Sequence, residues 1–151
     1  MAASSRERAE AGRDPSELDP WIDRLDRLSA GLVLLEPVPL HEIEAFFRDL
    51  DRTLSDHLAS ARSLDRRPRG SGLEALVRAD HERLPTSLDQ LWWFYGIVAR
   101  DDHGGHRQAL GQYGRLLAEA LRRHRDEEVA AREPGSATPG PGRPAPASGK
   151  P

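Results

Sequence analysis

Four separate stretches of this chain repeat apolar residues at alternating intervals of three and four, and that spacing restricts what it can fold into. An α-helix turns once in about 3.6 residues, so such positions line one face, whereas a strand would send them to opposite faces. The first stretch carries Leu18, Ile22, Leu25, Leu28, Leu32 and Leu35, and the second Leu40, Ile43, Phe47, Leu50, Leu54, His57, Ala61 and Leu64. The third reads Leu73, Val77, His81, Leu84, Leu88, Leu91, Tyr95 and Val98, and the fourth His106, Leu110, Tyr113, Leu117, Leu121, His124, Glu128 and Ala131. No stretch alternates polar and apolar residues as a half-buried strand does. Four amphipathic helices joined by short links predict an all-α, up-down antiparallel four-helix bundle over residues 16–132.

Breakers set the expected boundaries. Asp19 and Pro20 mark the start of the first helix, the acid as its cap and the proline in its first turn, and Glu36, Pro37, Val38 and Pro39 mark its end. Residues 65–72, rich in Arg, Pro and Gly, and residues 100–105, with two Asp and a Gly pair, are the next two turns. Pro85 has no N–H for the carbonyl of His81, so the third helix is expected to be kinked or broken there, with Ser87 and Gln90 as a capping box for a restart. Gly111 and Gly114 weaken the fourth helix but permit close approach of another. Residues 1–15 and 133–151 are expected to be disordered tails. Residues 134–151 hold six Pro and four Gly, too little apolar surface to offset chain entropy.

The formal net charge is -3, and Arg is interleaved with Asp and Glu, as at Asp23 and Arg24 or across residues 122–128. Such faces are solvated and offer no basic surface to nucleic acid or to an anionic membrane. The longest apolar run, residues 91–99, is about half of the ~20 residues a membrane span needs, and the first residues lack the apolar core of a leader. A cytoplasmic protein is expected. Without cysteine there is no thiolate site, so any metal ligands are His, Asp or Glu. The serines lie in turns or tails and no Gly-rich stretch matches a phosphate loop, so a non-enzymatic role is favoured.

Three histidines, His57, His81 and His124, occupy core-facing positions in three different stripes. In an antiparallel hairpin, residues equally distant from the turn lie at equal height, because both helices rise by ~1.5 Å per residue. The midpoint between His57 and His81 falls in the first of the two turns above, and that between His81 and His124 in the second. All three therefore share one layer, with Glu128 one turn beyond His124, while the first helix offers only Leu18 at that height. Three imidazoles and a carboxylate suit zinc or iron at ~2 Å; the competing reading is a metal-free layer of internal hydrogen bonds. Ligation requires neutral imidazole, so acid below ~6.5 is expected to weaken it. His103 and His106 have a chelating three-residue spacing but sit at a helix start expected to face solvent, as does His41. The run Leu91, Trp92, Trp93, Phe94 and Tyr95 reads as core with ring edges showing, with Trp92 or Trp93 marking a partner-facing surface.

The run from Leu121 through His124 to the pair Glu127 and Glu128 resembles the closing motif of the hemerythrin-like (HHE cation-binding) family. The segments Leu54, Ser55, Asp56, His57 and Ala79, Asp80, His81, Glu82 resemble its second-helix and third-helix motifs, and the resemblance covers residues 40–132. It implies a four-helix bundle with a non-haem di-iron centre inside. Three departures shrink that centre. Ala61 stands where a bridging carboxylate is expected one turn after His57, no His stands near Leu18, and Pro85 replaces a further His that some members carry. The implied site is then mononuclear, iron or zinc held by His57, His81, His124 and Glu128, for sensing, storage or handling of metal or oxygen species. The alternative is a metal-free bundle of the same kind, an interaction or regulatory module meeting a protein partner through the aromatic run or the Pro-rich tail.

Overall fold

The structure, a computed structural model, describes residues 14–64 and 72–132. A 3-10 turn, Pro15–Leu18, leads into α1 (Asp19–Val33), followed by α2 (Leu40–Leu64), α3 (Gly72–Arg100) and α4 (Gly104–Arg132). The described residues contain no strand, and no helix among them is long and apolar enough to cross a membrane. Residues 1–13 and 133–151 of the tails expected to be disordered, and all but the last residue of the turn expected over 65–72, lie outside the described residues, whereas Asp14 and Pro15, expected in the first tail, are ordered as the cap and first residue of the 3-10 turn.

Local chemistry places the helix ends, in two cases differently from expectation. Asp14 accepts the Ser16 N–H at 3.0 Å and so opens the 3-10 turn. Asp19 does not cap α1: Leu18 holds the cap position with helical backbone and no side-chain bond. The 3-10 turn runs straight into the helix, and the Asp19 carboxylate is left to pair with Arg125 of α4. At the other end of α1, Leu35 turns left-handed, with φ 59. The Glu36 N–H donates to the Gly31 carbonyl at 2.9 Å and the Leu35 N–H to the Leu32 carbonyl at 3.2 Å. This is a Schellman ending with leucine where glycine is usual. Leu35 consequently leaves the apolar stripe; it is 49% exposed, and its methyls lie over Gly104 at the start of α4.

α3 continues through Pro85 from Gly72 to Arg100, so the expected break and restart are not made. The Ser87 hydroxyl donates back to the Arg83 carbonyl at 3.3 Å instead of capping a new helix. A proline inside a helix costs about 3 kcal/mol. Leu84, Leu88 and Leu91 are buried on either side of it, and each stabilises by roughly 1.5–3 kcal/mol, so apolar burial outweighs the lost bond.

Contacts between neighbouring helices run in opposite chain order. From α1 to α4, Asp19 meets Arg125, Asp26 meets Arg122 at 3.1 Å, and the Val33 carbonyl accepts from Gln108 at 3.2 Å. From α2 to α3, Glu44 accepts from the Tyr95 hydroxyl at 3.2 Å, Asp51 accepts from Trp92 at 3.3 Å, and the His57 ring lies beside His81. Ile22, Leu25, Ile43, Phe47, Leu50, Leu54, Leu91, Leu110 and Leu121 fill the core.

α1 and α4 approach each other at backbone distance around two glycines. A Cβ at Gly111 would stand 2.6 Å from the Ser29 carbonyl oxygen and 2.9 Å from the Val33 nitrogen, and one at Gly114 would strike the Ser29 side chain. The two glycines therefore permit the approach expected of them, whereas Gly96 in α3 faces open space. Alanine raises intrinsic helix stability by up to ~1 kcal/mol over glycine. Gly96→Ala is expected to stabilise by about 0.5–1 kcal/mol, while Gly111→Ala, which must push α1 backbone away, destabilises by about 1–3 kcal/mol. Urea unfolding of both variants reads these opposite signs.

Candidate metal centre

α2 contributes His57, α3 His81, and α4 both His124 and Glu128, the last two four residues apart and so on one face. Their exposures are 4%, 8%, 0% and 5%. The imidazole centroids are 5.8 Å apart for His57 and His81, 5.7 Å for His57 and His124, and 4.7 Å for His81 and His124. All three rings turn the same nitrogen to the same oxygen. Glu128 Oε1 is 3.1 Å from His81 Nε2, 3.3 Å from His57 Nε2 and 3.6 Å from His124 Nε2. Bonds of about 2.0–2.1 Å in a tetrahedral site put neighbouring ligand atoms roughly 3.3 Å apart. Ligand atoms of these four residues all lie within 4.8 Å of one another. The sequence-expected layer is thus brought together.

Of the three approaches to Glu128, only that of His81 is a hydrogen bond. His57 Nε2, His124 Nε2 and Glu128 Oε2 are buried with no hydrogen-bond partner among the described residues. Each such atom costs on the order of 1–3 kcal/mol when left unsatisfied. Lone pairs converging from three helices fit a cation, because an ion meets several of them at once.

Electrostatics keeps His124 and Glu128 in the form that ligation needs. Burial pushes His124 down to about 4, against a smaller opposing pull from Glu128. Its lone pair is therefore free at neutral pH, and the acid weakening expected near ~6.5 is deferred, as far as His124 is concerned, to about 4. Burial also pushes Glu128 upward, but contacts with His57 and His81 outweigh it and hold the carboxylate below its ordinary range.

The surroundings match the departures noted in the sequence. Ala61, one turn after His57, is buried and brings no carboxylate, and the buried Leu18 brings no ligand from the first segment. One residue was not anticipated. Asp80 Oδ2 stands 3.6 Å from His124 Nδ1, on the side of the ring away from Glu128. Its signal was position alone, next to His81 in the same layer. Glu127 lies beside Asp80 and is raised by burial and by that neighbouring carboxylate.

A second group, Asp101, His103 and His106, also brings ligating atoms within 4.8 Å, but with Asp101 and His103 exposed. These atoms are engaged locally. The Gly105 N–H donates to His103 Nδ1 at 3.1 Å and the Arg107 N–H to the His103 carbonyl at 3.1 Å, which makes His103 the N-cap of α4. With Nδ1 accepting, neutral His103 carries its proton on Nε2, the atom an ion would need. His106 Nδ1 meets the Asp101 carbonyl at 2.8 Å, and His41 is exposed. In the aromatic run, Trp92 packs edge-on against Phe47 at 5.9 Å, whereas Trp93 is 60% exposed.

Among known proteins, no family model, curated protein or solved structure matches the chain.

The depressed His124 has a consequence for metal-free protein. The unfolded chain protonates this histidine near ~6.5 and the folded one only near 4. Between those values the unfolded state binds more protons, so stability is full above ~6.5 and falls as pH drops toward 4, by on the order of 3 kcal/mol. Urea midpoints of chelator-treated protein at pH 7 and pH 4.5 measure this, and His124→Leu is expected to flatten the profile. At the exposed cluster, His103→Ala should cost about 1 kcal/mol of stability while His103→Asp, itself a good cap, keeps most of it; equal losses in both variants would argue against the capping role.

Proposed function

We propose that the four helices form an up-down antiparallel bundle, α3 kinked at Pro85, whose interior holds one iron or zinc ion. The ligands are Nε2 of His57, His81 and His124 with the Glu128 carboxylate. The reversed order of contacts along α1–α4 and α2–α3 supports the architecture. The ion rests on one observation: three Nε2 atoms from three helices face one carboxylate oxygen at 3.1–3.6 Å, and two of those nitrogens have no hydrogen-bond partner. A self-satisfied polar layer would leave no such atoms. Imidazole with a single carboxylate and no thiolate suits zinc or ferrous iron. The resemblance to hemerythrin-like bundles points the same way and gives the role as sensing, storage or handling of metal or oxygen species.

Because the ligands come from three helices, binding couples to their packing. Protein purified without an affinity tag is expected to carry about one iron or zinc per chain by elemental analysis, and His81→Ala to lose it. Adding the same ion to stripped protein should raise Tm in the parent and not in the variant. Metal-free parent protein that gains no thermal stability with either ion rules the reading out. The other reading, a metal-free interaction module, draws on Trp93, a large ring 60% exposed on α3; under it, Trp93→Ala abolishes partner binding and leaves folding intact.

A further inference from the structure

We propose that Asp80 is a positioning residue for His124, accepting its Nδ1–H and so directing the Nε2 lone pair toward Glu128. The inference rests on the metal-binding reading for its functional meaning, but its geometry stands by itself. His124 is 0% exposed and the Asp80 side chain 14% exposed. Asp80 Oδ2 and His124 Nδ1 face each other at 3.6 Å, and neither atom has a hydrogen-bond partner among the described residues. The other Asp80 oxygen, Oδ1, faces Arg83 at 4.0 Å. A neutral imidazole has one N–H and one lone pair, and which nitrogen carries which is decided by what each nitrogen meets. On one side of the His124 ring is Glu128, on the other Asp80, both carboxyl groups. Glu128 already accepts from His81, whereas Asp80 Oδ2 has no hydrogen-bond donor among the described residues. The proton is therefore best placed on Nδ1, toward Asp80.

Two further points favour this assignment. A ligating imidazole almost always donates its remote N–H to an acceptor, which fixes the ring and raises its basicity; Asp80 is the carboxylate that faces the remote nitrogen of His124. Charge balance agrees as well. A divalent cation held by three neutral imidazoles and Glu128 keeps one uncompensated positive charge in a buried site, and the Asp80 carboxylate, one ring away, offsets it. Closing the gap from 3.6 Å to an ordinary charge-assisted bond of about 2.8 Å takes less than 1 Å.

Two measurements test the assignment. The first is the His124 tautomer in metal-free protein, read by long-range ¹H–¹⁵N NMR at neutral pH. Nδ1–H is expected in the parent, and a shift toward Nε2–H in Asp80→Ala. The second is the zinc affinity against a competing chelator. Asp80→Ala is expected to weaken it 10–100-fold, the range for loss of such a partner, with Asp80→Asn, which keeps an acceptor but not the charge, in between. An Nε2–H tautomer in the parent overturns the proposal, as does an Asp80→Ala affinity within threefold of the parent. If Asp80→Ala does not fold, the parent tautomer and the Asp80→Asn affinity decide. A parent that takes up no zinc or iron but shows Nδ1–H removes the metal reading and upholds the positioning role.

Discussion

An ionised carboxylate and three imidazoles are buried toward one end of a leucine core, and that burial is the constraint to which the rest of the structure answers. Taking a carboxylate out of water costs several kcal/mol, and each unsatisfied polar atom adds about 1–3 kcal/mol. Against a net stability of about 5–15 kcal/mol for an ordinary domain, this one layer is a large liability. Apolar residues of similar volume in its place would often be neutral or stabilising. The layer has a physical rationale when its lone pairs meet something that offsets their burial, and a cation at their convergence does so for His57, His124 and Glu128 together.

The helices that carry the four candidate ligands are held unequally. α1 lies against α4 at backbone distance, because Gly111 and Gly114 have no side chains to hold it off Ser29 and Val33. That contact brings no candidate ligand; it fixes α4, which carries His124 and Glu128. α2 is held through rings, with Phe47 against Trp92 and Tyr95 at centroid distances of 5.9 and 6.1 Å and Trp21 stacked on Phe46 at 6.0 Å. Large rings keep helix axes apart, and α2 contributes only His57. An ion shared among His57, His81 and His124 would therefore act as a further fastening of α2 to α3 and α4, which is how metal uptake would become a change in stability.

Much of this was legible in the sequence where the governing physics is periodic. The 3.6-residue turn is local, so Ile22, Leu25, Ile43, Phe47, Leu50, Leu54, Leu91 and Leu110 were readable as core. Equal rise in paired helices then placed His57, His81 and His124 at one level. The misreadings came where a competing bond decides the outcome. Leu35 left its stripe because main-chain bonds to Gly31 and Leu32 close the helix first. Pro85 failed to break α3 because the leucines around it are buried. Asp80 was overlooked because its relevance depends on which nitrogen of a ring on another helix faces it, and no spacing within one helix encodes that.

The two histidine groups show why proximity alone does not make a metal site. Both bring three or more ligating residues within the same 4.8 Å, and the exposed pair is the tighter in ring distance, 3.7 Å between His103 and His106. Yet His103 Nδ1 already accepts the Gly105 N–H, and His106 Nδ1 is engaged by the Asp101 carbonyl. An ion there would have to compete with a helix cap, and with solvent free to satisfy whatever the cap leaves over. In the buried group His57 Nε2 and His124 Nε2 lie out of reach of solvent and have no hydrogen-bond partner among the described residues, and the low local dielectric strengthens any charge they meet. The distinguishing quantity is the unmet hydrogen-bonding capacity of buried lone pairs, and by that measure only the interior layer of the two has a reason to hold a cation.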